Sequence, residues 1–139
     1  MPIVCLPGLT RNADDFDAIA EILVNRVQRP VVAFDYRGRG RSQYAREAAH
    51  YSLAVEAVDV RQMLATLGIG RAVFLGTSRG GLITMLLGVT APEVVEAVIL
   101  NDIGPVLETA GLQRIASYVG KGAMPKTMDE ARARIKETN

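Results

Sequence analysis

Tryptophan is absent, and cysteine and histidine occur once each, as Cys5 and His50, in a chain of 139 residues. One cysteine excludes an internal disulfide framework, and with one histidine it leaves no set of ligands for a local Cys/His zinc site. Cys5 lies within an apolar run and reads as a small core residue rather than a reactive thiol. A net charge of +1 gives no electrostatic reason to expect nucleic acid or an acidic lipid surface as partner. No apolar run approaches the ~18–20 residues of a membrane span. The first residues lack the basic region, apolar stretch and cleavage site of a signal peptide, so a cytoplasmic location is the default expectation. What is present is an ordinary globular balance, 49% hydrophobic and 22% charged. The length is that of one domain, enough to bury about two-thirds of the unfolded surface.

Short apolar runs alternate with longer helical patterns, which predicts βαβ units and a mostly parallel sheet between helical layers, an α/β/α sandwich. The strands are expected at Ile3–Leu6, at Val31–Phe34 ending on Asp35, at Ala72–Leu75 and at Ala97–Leu100. The first helix has Asn12 as its expected N-cap and Phe16, Ile19, Leu23 and Val27 as its apolar face. Ser52 caps a second helix with Leu53, Ala57, Val60, Leu64 and Leu67 in step, stopped by Gly68 and Gly70. A third runs from Arg79 to Val89, with Leu82, Met85, Leu86 and Val89 on one side, and Pro92 breaks it. After Gly104-Pro105 the pattern changes. Leu107–Val119 and Met128–Lys136 read as helices with no strand between them, the second opened by the capping box Thr127/Glu130. The expected division is a core over 1–105 and a helical region over 106–139.

The most informative stretch is Gly76-Thr77-Ser78-Arg79-Gly80, between an expected strand and an expected helix. A serine at a very sharp strand-to-helix turn is pushed out of the sheet and placed at a helix N-terminus. Residues two positions away must be small for strand and helix to approach. There the helix dipole and free N–H groups favour developing negative charge. The five residues alone also fit a glycine-rich turn with a serine N-cap. The second feature is Leu6-Pro7-Gly8-Leu9-Thr10, closing the first strand. Acyl transfer needs two N–H donors aimed at one oxygen, and the Leu9 and Arg79 amides are the candidates. If the first strand neighbours the third, with the second on its far side, strand order reverses between them. Ligands bind at such a switch point.

Four segments in order resemble the α/β-hydrolase superfamily: Leu6-Pro7-Gly8-Leu9, Phe34-Asp35-Tyr36-Arg37-Gly38-Arg39-Gly40-Arg41-Ser42, Gly76 to Gly80, and Val98 to Pro105. The likeness is to the cap-bearing branch of esterases, lactonases and carbon–carbon bond hydrolases. Ser78 sets the chain apart from dehalogenases and epoxide hydrolases, which carry Asp at the elbow. The resemblance implies that Ser78 is the nucleophile, that Gly76 and Gly80 are the elbow glycines, and that Leu9 and Arg79 form the oxyanion hole. It also implies a small-molecule carbonyl substrate, no cofactor and no metal. Pro7 stands where the family usually has histidine, a change that spares the backbone donor. The strands correspond to the third to sixth of the usual eight, so the chain is expected to be a fragment, with the helices after Leu107 beginning a cap.

In this fold the chain order of the triad is Ser, acid, His. No histidine follows Ser78, and His50 precedes it at a position that reads as structural. Asp102, after the last strand, is the candidate acid, and a turn aspartate is the alternative. Asp35 reads as an organiser of the arginine loop, and Asp59 as a partner for Arg61 or the backbone. Arg37, Arg39, Arg41 and Arg46 read as parts of a solvated loop, and the Arg79 side chain as a possible contact for a substrate carboxylate. Two other readings are a catalytically inactive hydrolase-like module that binds a small ligand, and a nucleotide-binding doubly wound domain. The second lacks G-x-G-x-x-G spacing at Gly8.

Overall fold

The computed structural model describes residues 1–121 and 123–138 and divides into two compact units, Met1–Gly104 and Pro105–Asn139. In the first unit, strands β1 (Ile3–Leu6), β2 (Val31–Ala33), β3 (Ala72–Thr77) and β4 (Val95–Asn101) form one parallel sheet in the order β2-β1-β3-β4. Helices α1 (Asp17–Val27), α2 (Leu53–Thr66) and α3 (Arg79–Thr90) connect them.

Alternation along the strands builds the layers. Val4 and Leu6 of β1 and Phe74 of β3 are fully buried and cluster with Ala57, Val60 and Leu64 of α2 and Ile83 and Leu87 of α3. The intervening Ile3 and Cys5 point to the opposite face, with Phe16 and the partly buried Leu23, Val73 and Leu75. This is the expected α/β/α arrangement. Burial pushes the Cys5 thiol up to about 11, so it stays protonated at neutral pH.

Several local expectations need correction. β2 ends at Ala33, although Phe34 still donates its N–H to the Cys5 carbonyl at 3.1 Å. β4 starts at Val95, two residues before the expected Ala97, with a register shift opposite Ala72 and Val73. Asn12 is not a side-chain cap. Its amide donates to Asp14 at 3.4 Å, and the chain enters α1 through a 3-10 turn, Ala13–Phe16. The apolar face of α1 is thinner than its spacing suggests: Phe16 is buried, but Ile19 and Val27 are exposed. On α3 the buried face is Gly80, Gly81, Ile83, Thr84 and Leu87, while Val89 is 81% exposed. Gly80 and Gly81 let the start of the helix approach the sheet closely, and Ile83 and Leu87 rather than Leu82, Met85, Leu86 and Val89 supply its core side chains. Ser52 caps α2 as expected, accepting from the Val55 N–H at 3.4 Å.

The second unit contains α4 (Thr109–Tyr118) and α5 (Met128–Thr138). At the start of α5 the Thr127 hydroxyl accepts from the Glu130 N–H at 3.2 Å. Glu130 reaches back one residue further than the capping box requires, to the Lys126 N–H at 2.8 Å, and this bond lowers its pKa. Among the described residues no helix is long and apolar enough to cross a membrane.

Candidate active site

The carboxyl ends of β1 and β3 are adjacent, with Leu6 in register with Gly76, and β2 lies on the other side of β1. The switch point therefore falls between β1 and β3. Pro7-Gly8-Leu9 leaves one strand there and Ser78 leaves the other.

Ser78 has φ 49° and ψ −111°, a positive-φ conformation outside the left-handed helical well that costs a residue with a Cβ about 1–2 kcal/mol. Its surroundings hold it there. Its N–H donates to the Asn101 carbonyl at 2.9 Å, and its carbonyl accepts from Gly81 at 2.9 Å and Leu82 at 3.2 Å. The glycines allow the turn to be this tight. A Cβ on Gly76 would lie 2.7 Å from the Gly80 backbone, and one on Gly80 would overlap the Leu6 carbonyl. The Ser78 side chain makes no capping bond to α3, and the residue is only half-buried. A serine N-cap would spend its hydroxyl on the helix, and this one does not.

The oxyanion-loop candidate lies against this turn. A Cβ built on Gly8 would stand 3.8 Å from the Ser78 Cβ and 3.9 Å from the Thr77 carbonyl oxygen. Among the described residues the backbone amides of Leu9 and Arg79 have no hydrogen-bond acceptor. One of these N–H groups follows Ser78 in the chain, and the other follows Gly8, the residue that lies against the turn. Asp102 follows Asn101 as Ser78 follows Thr77, in paired register, and it too has a positive φ, 56°. Its side chain is exposed. His50 lies in the 3-10 turn Ala48–Tyr51, with its Nε2 3.9 Å from Glu47. Among the described residues no group of three or more His, Cys, Asp or Glu side chains comes together as metal ligands.

The Arg79 side chain is not free for a substrate. Its guanidinium donates to Glu56 at 2.8 Å and to the Tyr51 carbonyl at 2.9 Å. Asp59 pairs with Arg37 rather than Arg61, through two hydrogen bonds of 2.7 and 2.5 Å. Asp35 organises its loop as expected and also caps the turn before α1. One oxygen accepts from the Ala13 N–H at 2.7 Å and the other from the Arg41 N–H at 3.0 Å. Arg39 joins the two loops, donating to the Leu9 carbonyl at 3.0 Å and to its neighbour Gly38 at 3.1 Å. The arginine loop is therefore built into the site's frame rather than solvated as a whole. Sequence reading missed Glu56 and Arg39. An acid at an otherwise apolar helix position was the only hint for Glu56.

Asp35→Ala would strand two backbone donors that now bond a charged oxygen. It should lower unfolding free energy by about 2–3 kcal/mol in urea denaturation, while the isosteric Asp35→Asn should lose less. An Asp35→Ala variant as stable as the parent would show that water replaces the carboxylate at no cost.

The family model described as the alpha/beta hydrolase fold matches residues 1–139. A 3-hydroxybutyrate-oligomer hydrolase from Cupriavidus necator is 37% identical over 131 residues, which is 94% of this chain and 44% of that protein. An sn-1-specific diacylglycerol lipase from Mus musculus is 35% identical over 109 residues, 78% of this chain and 34% of that protein. A crystal structure of an alpha/beta hydrolase from Novosphingobium aromaticivorans is 42% identical with a TM-score of 0.87, covering 99% of this chain and 47% of that one. The chain thus spans less than half the length of each of these relatives.

Proposed function

The chain belongs to the alpha/beta hydrolase fold family, and from that premise we propose that it carries the nucleophile and oxyanion site of a serine hydrolase acting on carboxylic esters, lactones or related small carbonyl compounds. Ser78 Oγ attacks the carbonyl carbon as a histidine takes its proton. The oxygen that gains charge is held by the Leu9 and Arg79 N–H groups. The tetrahedral intermediate expels the alcohol, which receives that proton from the histidine. Water, deprotonated by the same histidine, then attacks the acyl-serine ester. The second tetrahedral intermediate releases the acid and restores Ser78. No histidine follows Ser78 in these 139 residues, and the proposed base is one supplied from outside them. Asp102 is proposed to orient it. The helices of the second unit are proposed as the beginning of a cap region.

One observation carries the reading: a half-buried serine held at φ 49°, its hydroxyl not used as a cap, beside two unpaired amides. The names of the two curated relatives both denote hydrolysis of esters, of an oligomeric hydroxyacid in one and a glycerolipid in the other. They support the ester class and leave chain length to the rest of the protein.

The test is hydrolysis of a p-nitrophenyl ester by the longer protein that carries this chain and by the 139 residues alone. The longer protein should turn over, and Ser78→Ala should abolish it. The chain alone should be slow or inactive. Turnover that survives Ser78→Ala would sink the proposal. Fast turnover by the 139 residues, lost on Ser78→Ala, would place the base within them, with His50 the first suspect.

A further inference from the structure

Next to the elbow serine in the chain, the Arg79 guanidinium is gripped on two edges. Nε donates to Glu56 and a terminal nitrogen donates to the Tyr51 carbonyl, while the same terminal nitrogen lies 2.8 Å from the Glu56 oxygen. Both partners are withdrawn from water, with side-chain exposures of 18% for Arg79 and 4% for Glu56. Glu56 sits in the first turn of α2, and its own N–H is bonded to the Ser52 carbonyl at 3.0 Å. The grip therefore joins the start of α2, the turn before it and the first residue of α3. A third polar group shares the space. The Tyr36 hydroxyl is buried without a hydrogen-bond partner, and its ionisation is disfavoured by burial and by the Glu56 charge.

Such an arrangement contributes little to folding. Desolvating two charges costs about as much as their attraction returns, and apolar replacement of a buried pair is often neutral or stabilising. Burial raises the Glu56 pKa above its ordinary value, and Arg79 and Arg39 offset this only in part. A strained residue such as Ser78, by contrast, persists only when its neighbours over-determine it. Arg79 is the next residue in the chain. We propose that Glu56 is a positioning residue: by clamping the Arg79 side chain it fixes the Arg79 backbone N–H as an oxyanion donor and locks the turn that presents Ser78. This rests on the proposed role of Ser78.

Three variants test it. Glu56→Gln leaves the guanidinium without its counter-charge, and Arg79→Met removes the charge but keeps the stem. The double variant Glu56→Leu/Arg79→Met replaces the pair by apolar groups of similar volume and keeps the protein folded even if a single variant does not. In the longer protein the double variant should keep its Tm while kcat falls about ten- to a hundredfold with KM unchanged, the scale expected of a donor displaced by a fraction of an ångström. In the 139-residue chain, hydrogen exchange at the Gly81 and Leu82 amides, which bond the Ser78 carbonyl, should accelerate at least tenfold. Unchanged exchange overturns the clamp whatever the turnover. Faster exchange with undiminished kcat shows a structural tie alone and overturns the positioning role. Turnover that persists in Ser78→Ala, run alongside, instead removes the premise about the serine.

Discussion

Gly80→Ala should leave the chain unable to form its native sheet. The new methyl would overlap the carbonyl carbon and oxygen of Leu6 and lie 2.9 Å from the Leu6 Cβ, so β1 and the start of α3 would have to separate. The obstacle is backbone on a central strand, which cannot swing aside as a side chain would. Overpacking of this kind costs about 1–3 kcal/mol, occasionally more. Here it falls where β1, β3 and the elbow meet, and the upper end of that range or a loss of soluble protein is expected. Gly88→Ala is the matched control. It lies on the same helix with nothing within 4 Å of its added methyl, and should gain about 0.5–1 kcal/mol from helix propensity. Urea denaturation followed by circular dichroism reads both. A Gly80→Ala variant as stable as Gly88→Ala would mean that α3 does not approach β1 as described.

The second large effect has opposite signs on stability and turnover. Ser78→Gly removes the Cβ that makes φ 49° costly and should stabilise the fold by about 1–2 kcal/mol. The same change deletes the proposed nucleophile, so hydrolysis by the proposed longer protein should fall by about 10⁴–10⁶-fold. Ser78→Ala separates the two consequences. It should lose turnover equally and gain none of the stability, because alanine keeps the Cβ. If the glycine and alanine variants melt together, the turn is not strained at this residue.

How far the sequence made this legible depends on the range of the interaction. Strand order, the switch point and the turn at Ser78 rest on alternation, on glycines at fixed offsets and on βαβ connection rules, which are local or topological signals. Capping at Ser52 and Thr127 is likewise local. The partnerships that frame the candidate site are not. Glu56 meets Arg79 across 23 positions, Arg37 meets Asp59 across 22 and Arg39 meets Leu9 across 30. Nothing in the spacing of those residues marks them as partners. The same limit explains Asn12. Its type and place suit a cap, but its side chain turns to the Asp14 carboxylate, while the Asp35 carboxylate arrives from another loop to take the Ala13 N–H. On α3, hydrophobic spacing pointed to Leu82, Met85, Leu86 and Val89, whereas close approach to the sheet set the inner face one residue over, on Gly80, Gly81, Ile83, Thr84 and Leu87.

Asp35 and Arg39 give the loops that follow β1 and β2 little independence. One carboxylate spans Ala13 and Arg41, and one guanidinium spans Leu9 and Gly38. An enzyme that must stabilise a fleeting anion loses rate whenever its dipoles have to swing toward the new charge. In the proposed site, with the Leu9 loop stitched down beforehand, that reorientation would already be completed during folding, and the chemistry would begin in an environment shaped for its most charged moment.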